Sequence, residues 1–328
     1  YVNYGGTNWP LSDDTSIKLK GKNIADINSN PSALLEILNE QHYRLCNWQE
    51  TFSKINYRRF FTVNSLICLN IQDKAVFDTY HEYIFKFVNE GVFQGLRIDH
   101  IDGLYDPKIY LDRLRESVGD DVYVVIEKIL EYDEQLPQDW NTQGNTGYDF
   151  LAITNNLFTN QSAQHSFDKL YQKVTGKSQD LDVLIHEKKE TILYEHMSGE
   201  LDNLYQLAKD LNLISDTDED EIGADIIKRG IGEMMIQMPV YRYYDYQFPL
   251  KNESLNQVTE LISVVNQQDE LKAAGAFLTK ILIEKPLSGD VNYLENIGHF
   301  YQRCMQFTGP LMAKGVEDTV MFTYNLFV

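Results

Sequence analysis

Apolar positions recur along this chain with two periods. After Asp73 they fall at Val76, Phe77, Tyr80, Ile84, Phe87 and Val88, close to helical spacing, and Gly91 stops the pattern. Asp73 stands where a cap belongs. Asn30-Pro31 reads as another helix start, with Leu34, Leu35, Leu38 and Leu45 on the apolar face and an expected end near Phe52. Phe93 to Asp99 reads as a short strand. Asp106-Pro107 opens a helix through Leu111 and Leu114 that stops at Gly119. Val122-Tyr123-Val124-Val125-Ile126-Glu127 is a β-branched run of buried-strand type. Helix, strand, helix, strand at this spacing predicts βα units around a parallel sheet, hence an α/β fold.

The texture then changes. Residues 161–235 carry long helical patterns rich in Lys, Glu, Asp and Gln, and read as a helical insertion. Its acidic run, Asp216 to Glu221, fits a solvated loop or a helix start. Helices are expected again over about 253–282 and 290–307, and Gly309 to Tyr324 reads as mixed loop and strand. The expected organisation is 1–160, βα units; 161–235, the helical insertion; and 236–328, helices returning to the sheet.

Composition narrows the function classes. With 49 acidic and 29 basic residues in 328, the formal net charge is −20, which argues against binding nucleic acid or an anionic membrane surface. Hydrophobic residues make up 43%, enough for a sizeable core. No apolar run approaches the length needed to span a bilayer. Cys46, Cys68 and Cys304 are far apart, so no disulfide framework and no metal cluster is expected, and a reduced cytoplasmic setting fits. The 21 tyrosines suit sugar or protein surfaces, though core packing accounts for most. The chain starts at Tyr1 without Met or a signal-like stretch and stops at Asn325-Leu326-Phe327-Val328 inside a segment that reads as structured. We therefore expect a piece of a longer protein.

Asp99 and Glu127 each end an expected strand, about one βα unit apart. Their carboxylates should emerge at one edge of neighbouring parallel strands, the end where barrel active sites are built. Residues two apart on a strand share a face, so Arg97 can hold Asp99 ionised. The plainer reading is that Asp99 caps a strand and Glu127 pairs with Lys128 at the surface.

The wording around these acids is more specific. Gly95-Leu96-Arg97-Ile98-Asp99-His100 resembles the nucleophile motif of the α-amylase superfamily, the family 13 glycoside hydrolases. The longer stretch to Pro107 resembles the maltooligosyltrehalose synthase branch of that superfamily. So do Asn56-Tyr57-Arg58-Arg59-Phe60-Phe61, Val124 to Leu130, Gly147-Tyr148-Asp149-Phe150, and above all Thr308 to Thr319 with its Lys-Gly-Val-Glu-Asp-Thr. The resemblance implies a partial (β/α)8 barrel, about its fourth to seventh strands, with a large α-helical insertion. It implies Asp99 as nucleophile, Glu127 as general acid/base and Asp318 as the third carboxylate. Arg97, His100, Lys128, Arg58, Tyr148 and Lys314 become candidate substrate contacts, although Arg58 also reads as part of a solvated pair and Tyr148 as core.

The implied reaction is an intramolecular transglucosylation of maltooligosaccharides, turning the reducing-end α-1,4 bond into an α,α-1,1 bond by a retaining double displacement, with no cofactor and no metal. Lys128 and Arg97 favour ionised neighbours, so Glu127 needs burial or nearby carboxylates to keep its proton. Two other readings stand: an α-glucan hydrolase or 4-α-glucanotransferase of the same superfamily, and a catalytically silent glucan-binding piece. The superfamily's Asn-His motif is missing, since none of the seven histidines follows Asn. The isolated chain is accordingly expected to be inactive and to self-associate through open sheet edges.

Overall fold

The computed structural model describes residues 1–131, 134–178 and 180–324. The terminal Asn325 to Val328, read above as part of a structured segment, lie outside the described residues. The chain divides into two compact units, Tyr1–Thr51 and Phe52–Val328.

The first unit holds an antiparallel hairpin, β1 (Val2–Tyr4) and β2 (Thr7–Trp9), turned by Gly5 and Gly6 at positive φ. Three short helices follow: α1 (Asp13–Leu19), α2 (Ile24–Asn28) and α3 (Pro31–Asn39). Asn30 caps α3 through its side chain, as the Asn-Pro pair predicts. The expected continuation to Phe52 does not occur. Gln41 folds back and donates its side-chain amide to the Ile37 carbonyl, while its Oε1 accepts from the Ser12 backbone N–H. This ties off the end of α3 against the start of α1, a non-local device that the spacing of leucines does not reveal.

The second unit opens with β3 (Arg59–Phe60) and β4 (Val63–Ile67), an antiparallel pair. Helix α4 (Lys74–Asn89) begins at Asp73, whose Oδ1 accepts from the N–H groups of Ala75 and Val76, and ends before Gly91 at φ 68°. A parallel sheet follows in the order β5 (Gly95–Ile98), β6 (Tyr123–Ile126), β7 (Gly144–Asn145). Helix α5 (Pro107–Val118), capped by Asp106, makes the crossover from β5 to β6. Phe77, Ile101, Tyr110, Leu111, Leu114, Val124, Ile126 and Trp140 form the core between sheet and helices. The described residues contain three parallel strands and no closed barrel.

Helix α6 (Tyr148–Phe158) follows β7, and the segment expected to be helical holds α7 (Gln164–Thr175), α8 (Leu181–Thr191), α9 (Ser198–Asp210), α10 (Asp216–Ile222) and α11 (Ala224–Ile236). The acidic run is a helix start, with Ser215 and Asp218 forming a capping box. Helices α12 (Asn252–Gln267), α13 (Lys272–Thr279) and α14 (Val291–Leu311) complete a second core with α9 and α11, built on residues such as Leu201, Ile231, Ile262, Leu278 and Phe300.

Gly309 to Tyr324 corrects its expected mixture of loop and strand. Helix α14 runs through Gly309 and Pro310, and a π-helical segment continues over Met312–Val320. Tertiary packing overrides the breakers. Gly309 lies against Tyr241, and Gly315 lies so close to α8 that a Cβ there would meet Lys189 at 2.9–3.1 Å.

Candidate active site

Strand register sets the two predicted acids at neighbouring strand ends. Gly95, Leu96, Arg97 and Ile98 stand opposite Tyr123, Val124, Val125 and Ile126. Asp99 and Glu127 are therefore the next residues at the carboxyl ends of adjacent parallel strands. The ladder continues one step, with the Glu127 N–H donating to the Ile98 carbonyl at 2.7 Å. Arg97 reaches Asp99 along the strand face, Nη1 to Oδ1 at 2.5 Å, with both side chains more than half exposed.

The chain then turns sharply. His100 takes a left-handed conformation at φ 51°, which aims its backbone N–H at Glu127 Oε2 at 2.7 Å. Its ring sits edge-on to Phe60 and Phe61, with centroids 5.0 Å away in each case, and closes over Gly103. Burial pushes the imidazole below its ordinary titration range, partly offset by Asp102. Arg58 donates to the Gly103 carbonyl at 2.5 Å and is pushed down to about 10 by burial. Asp99, Arg97, His100, Arg58, Tyr105 and Arg303 line one cavity of about 570 Å³.

Tyr148 stands at the start of α6, and its hydroxyl is raised by burial first and then by the Glu127 carboxylate. Asp318 is on the π-helical segment, half exposed, with Lys314 Nζ at 2.5 Å one turn earlier. Lys314 also lies 5.3 Å from the centre of the Phe61 ring.

No protein-family model matches the chain. Two curated relatives, the putative maltooligosyl trehalose synthases of Mycobacterium tuberculosis strains CDC 1551 / Oshkosh and ATCC 25618 / H37Rv, are each 35% identical over 164 residues, which is 50% of this chain and 21% of theirs. A solved DSM5389 glycosyltrehalose synthase superposes with a TM-score of 0.74 at 31% identity, covering 99% of this chain and 37% of that one. The maltooligosyltrehalose synthase from Arthrobacter ramosus gives 0.74 at 28% identity, over 97% of this chain and 36% of that one. The chain is related to the maltooligosyltrehalose synthases. It spans about a fifth of the curated synthases' length and little more than a third of the solved ones.

Of the six candidate contacts, Arg58, Arg97 and His100 line the cavity, and Lys128, Tyr148 and Lys314 do not. Lys128 is enclosed, donating to Glu134 Oε1 at 2.6 Å and to the Ile129 carbonyl at 3.2 Å, with Asp102 Oδ2 at 3.9 Å. As the neighbour of Glu127 it points to the opposite side of the strand end. It bridges to Glu134 rather than to Glu127, which corrects the plainer expectation of a surface pair with Glu127.

Several site residues carry too little local signal to be found from sequence. Arg242, fully buried, donates to the carbonyls of Asp102, Leu104 and Tyr105 at 2.9, 2.5 and 3.2 Å. Gln306 adds a bond to the Gly103 carbonyl at 3.0 Å, and Tyr244 donates to Asp102. Together they fix the loop that follows Asp99. Tyr241 donates to Glu317, the residue before Asp318. The run Tyr241-Arg242-Tyr243-Tyr244 was the available hint, a basic residue amid hydroxylated rings.

Proposed function

We propose that this chain carries the nucleophile and acid/base of an enzyme that isomerises maltooligosaccharides to maltooligosyltrehaloses. The supporting observation is the register that sets Asp99 and Glu127 side by side at the ends of β5 and β6, in a chain whose relatives are named for that reaction. Asp99, held by Arg97, attacks the anomeric carbon of the penultimate glucose. Glu127 gives its proton to the departing O4 of the terminal glucose. The glucose stays in the site and turns, and its anomeric hydroxyl attacks the glycosyl–Asp99 ester while Glu127 takes the proton back. One α-1,4 bond is exchanged for one α,α-1,1 bond with retention at the attacked carbon. Asp318, with Lys314 beside it, grips sugar hydroxyls as the ring distorts. His100, Arg58 and Tyr148 border the sugar.

The strands correspond to a stretch of a (β/α)8 barrel, and the reaction belongs to a polypeptide that supplies its other strands. The 328 residues alone are inactive and pair through the free edges of β5 and β7. The test is product analysis on maltopentaose with a polypeptide of the relatives' length. A non-reducing pentasaccharide is expected. Glucose or maltose as the main product would replace this reading with an α-glucan hydrolase or 4-α-glucanotransferase.

A further inference from the structure

Four non-glycine residues among those described have a positive φ. His100, Asn212 and Asn252 are of types that enter this region more readily, and Phe61, at φ 51°, is the exception. It is the first of the two residues that turn the chain between the paired Phe60 and Val63. Two-residue hairpin turns with a positive φ at that position favour Gly or Asn there. An aromatic residue in this conformation costs stability and persists only where its surroundings fix it. The hairpin is anchored at its base. Arg59 Nε donates to Glu200 Oε1 at 2.8 Å, with both side chains buried, and Arg59 Nη2 donates to the His196 carbonyl at 2.9 Å. Arg58 Nη2 donates to the Gly103 carbonyl at 2.5 Å. The Phe61 ring then reaches two of the acid-bearing segments: it stands 5.0 Å from the His100 ring, and Lys314 Nζ lies 5.3 Å from its centre. Elsewhere it packs on the cluster of Tyr241, Met312 and Ala313, which also receives Ile129, two residues after Glu127.

We propose that Phe61 is a positioning residue for the nucleophile and the third carboxylate: from the tip of the β3–β4 hairpin its ring is wedged between His100, which follows Asp99, and Lys314, which pairs with Asp318, and so fixes how the two acids stand to one another. This rests on the roles assigned under Proposed function. Asp99 and Asp318 are far apart in sequence, and both side chains are more than half exposed, so burial holds neither of them. The ring holds their neighbours instead. On one side it backs the His100 ring, while the His100 backbone N–H is committed to Glu127 Oε2 at 2.7 Å. A shift of that ring would therefore pass to the turn that carries Asp99. On the other side the ring's quadrupole attracts the Lys314 ammonium and steadies it against Asp318 Oδ2, 2.5 Å away. An aliphatic side chain could fill the same space, but it has neither the quadrupole nor the flat edge. Catalytic groups need placement to a fraction of an ångström, and the turn gives up stability at Phe61 to supply it.

The experiment measures kcat and KM for cleavage of the terminal glucosyl bond of maltopentaose, whether it ends in isomer or in hydrolysis, in a polypeptide of the relatives' length. Phe61→Leu should lower kcat about tenfold or more with KM within about threefold, the mark of groups misplaced in the transition state. Phe61→Tyr keeps the ring and should keep kcat within about threefold. Folded Leu and Tyr variants that behave alike, both active or both impaired, overturn the proposal. So does a Phe61→Leu protein that raises KM alone, which would make the ring a sugar contact. If Phe61→Leu does not fold, His100→Ala and Lys314→Met carry the test. Joined through one ring, the two changes together should lower kcat by less than the product of their separate effects, and simple multiplication of the losses overturns the proposal. Asp99→Asn, run in parallel, separates the two readings. Near-normal turnover there removes the role of Asp99 itself, whereas lost turnover there beside an unimpaired Phe61→Leu removes only the positioning role.

Discussion

Gly103→Ala tests whether the turn after Asp99 is held as tightly as its contacts imply. A Cβ at Gly103 would lie 2.2 Å from His100 Cδ2 and 2.3 Å from Nε2, well inside van der Waals contact. The ring has little room to yield, since Phe60 and Phe61 both stand 5.0 Å from it, centre to centre. The backbone has little room either. The Gly103 carbonyl receives Arg58 and Gln306, and Arg242 holds the carbonyls on both sides. Gly103 is not in the left-handed region, so alanine adds no backbone strain and the contact is isolated. Overpacking of this kind costs about 1–3 kcal/mol, and losing the His100 N–H bond to the Glu127 carboxylate would cost about 1.5–3 kcal/mol more. We expect a total of about 2.5–6 kcal/mol, read as a lowered urea midpoint at constant slope. In a His100→Ala background the clash disappears, so the Gly103→Ala penalty should shrink by at least about 1 kcal/mol. A single-variant penalty under about 0.5 kcal/mol would refute the reasoning.

Asp99→Asn and Glu127→Gln should each lower turnover of the complete enzyme by several orders of magnitude with circular dichroism unchanged; near-normal turnover removes the role assigned to that residue. Lys128→Met strands Glu134 in a buried site and should destabilise by about 3–5 kcal/mol in urea; unchanged stability with a raised KM would return Lys128 to the sugar. Lys189, donating to the Ile236 and Met238 carbonyls, is pushed down to about 8 by burial. Below pH 8 both folded and unfolded states hold its proton. Between about 8 and 10.5 only the unfolded state does, so wild-type stability should rise relative to Lys189→Met by up to roughly 3 kcal/mol. A flat difference between the two across that range would contradict it. Chelation should leave activity unchanged, and loss restored by a divalent ion would show a metal role.

What was legible in the sequence was local. Asp73 and Gly91 delimit α4 because a cap and a left-handed glycine act within a few residues. The β-branched run of β6 and the two-residue step from Arg97 to Asp99 gave the strand-end acids, since alternation on a strand needs no knowledge of the rest. What escaped was long-range. Strand β7 is two residues without a β-branched side chain, and it pairs because Val125 and Ile126 are already in place. The helical path through Pro310 depends on Lys189 and Tyr241, each some 70 residues or more away in sequence. Glu317 beside Tyr241 is the same case, because neither residue announces the other.

The helical path of residues 312–320 also makes length a property of the site. Consecutive residues on a helix leave its axis in different directions, so Glu317 and Asp318 look out differently by virtue of one backbone step. Deleting a single residue between Lys314 and Glu317 would move each later residue back by one outlook. Asp318 would swing toward Tyr241, and Thr319 would take the solvent position beside Lys314. Most side-chain replacements in this stretch alter one contact, whereas a one-residue change in length rewires every contact downstream of it at once. Spacing from Pro310 to Asp318 is thus expected to tolerate exchange of letters far better than a change in their number.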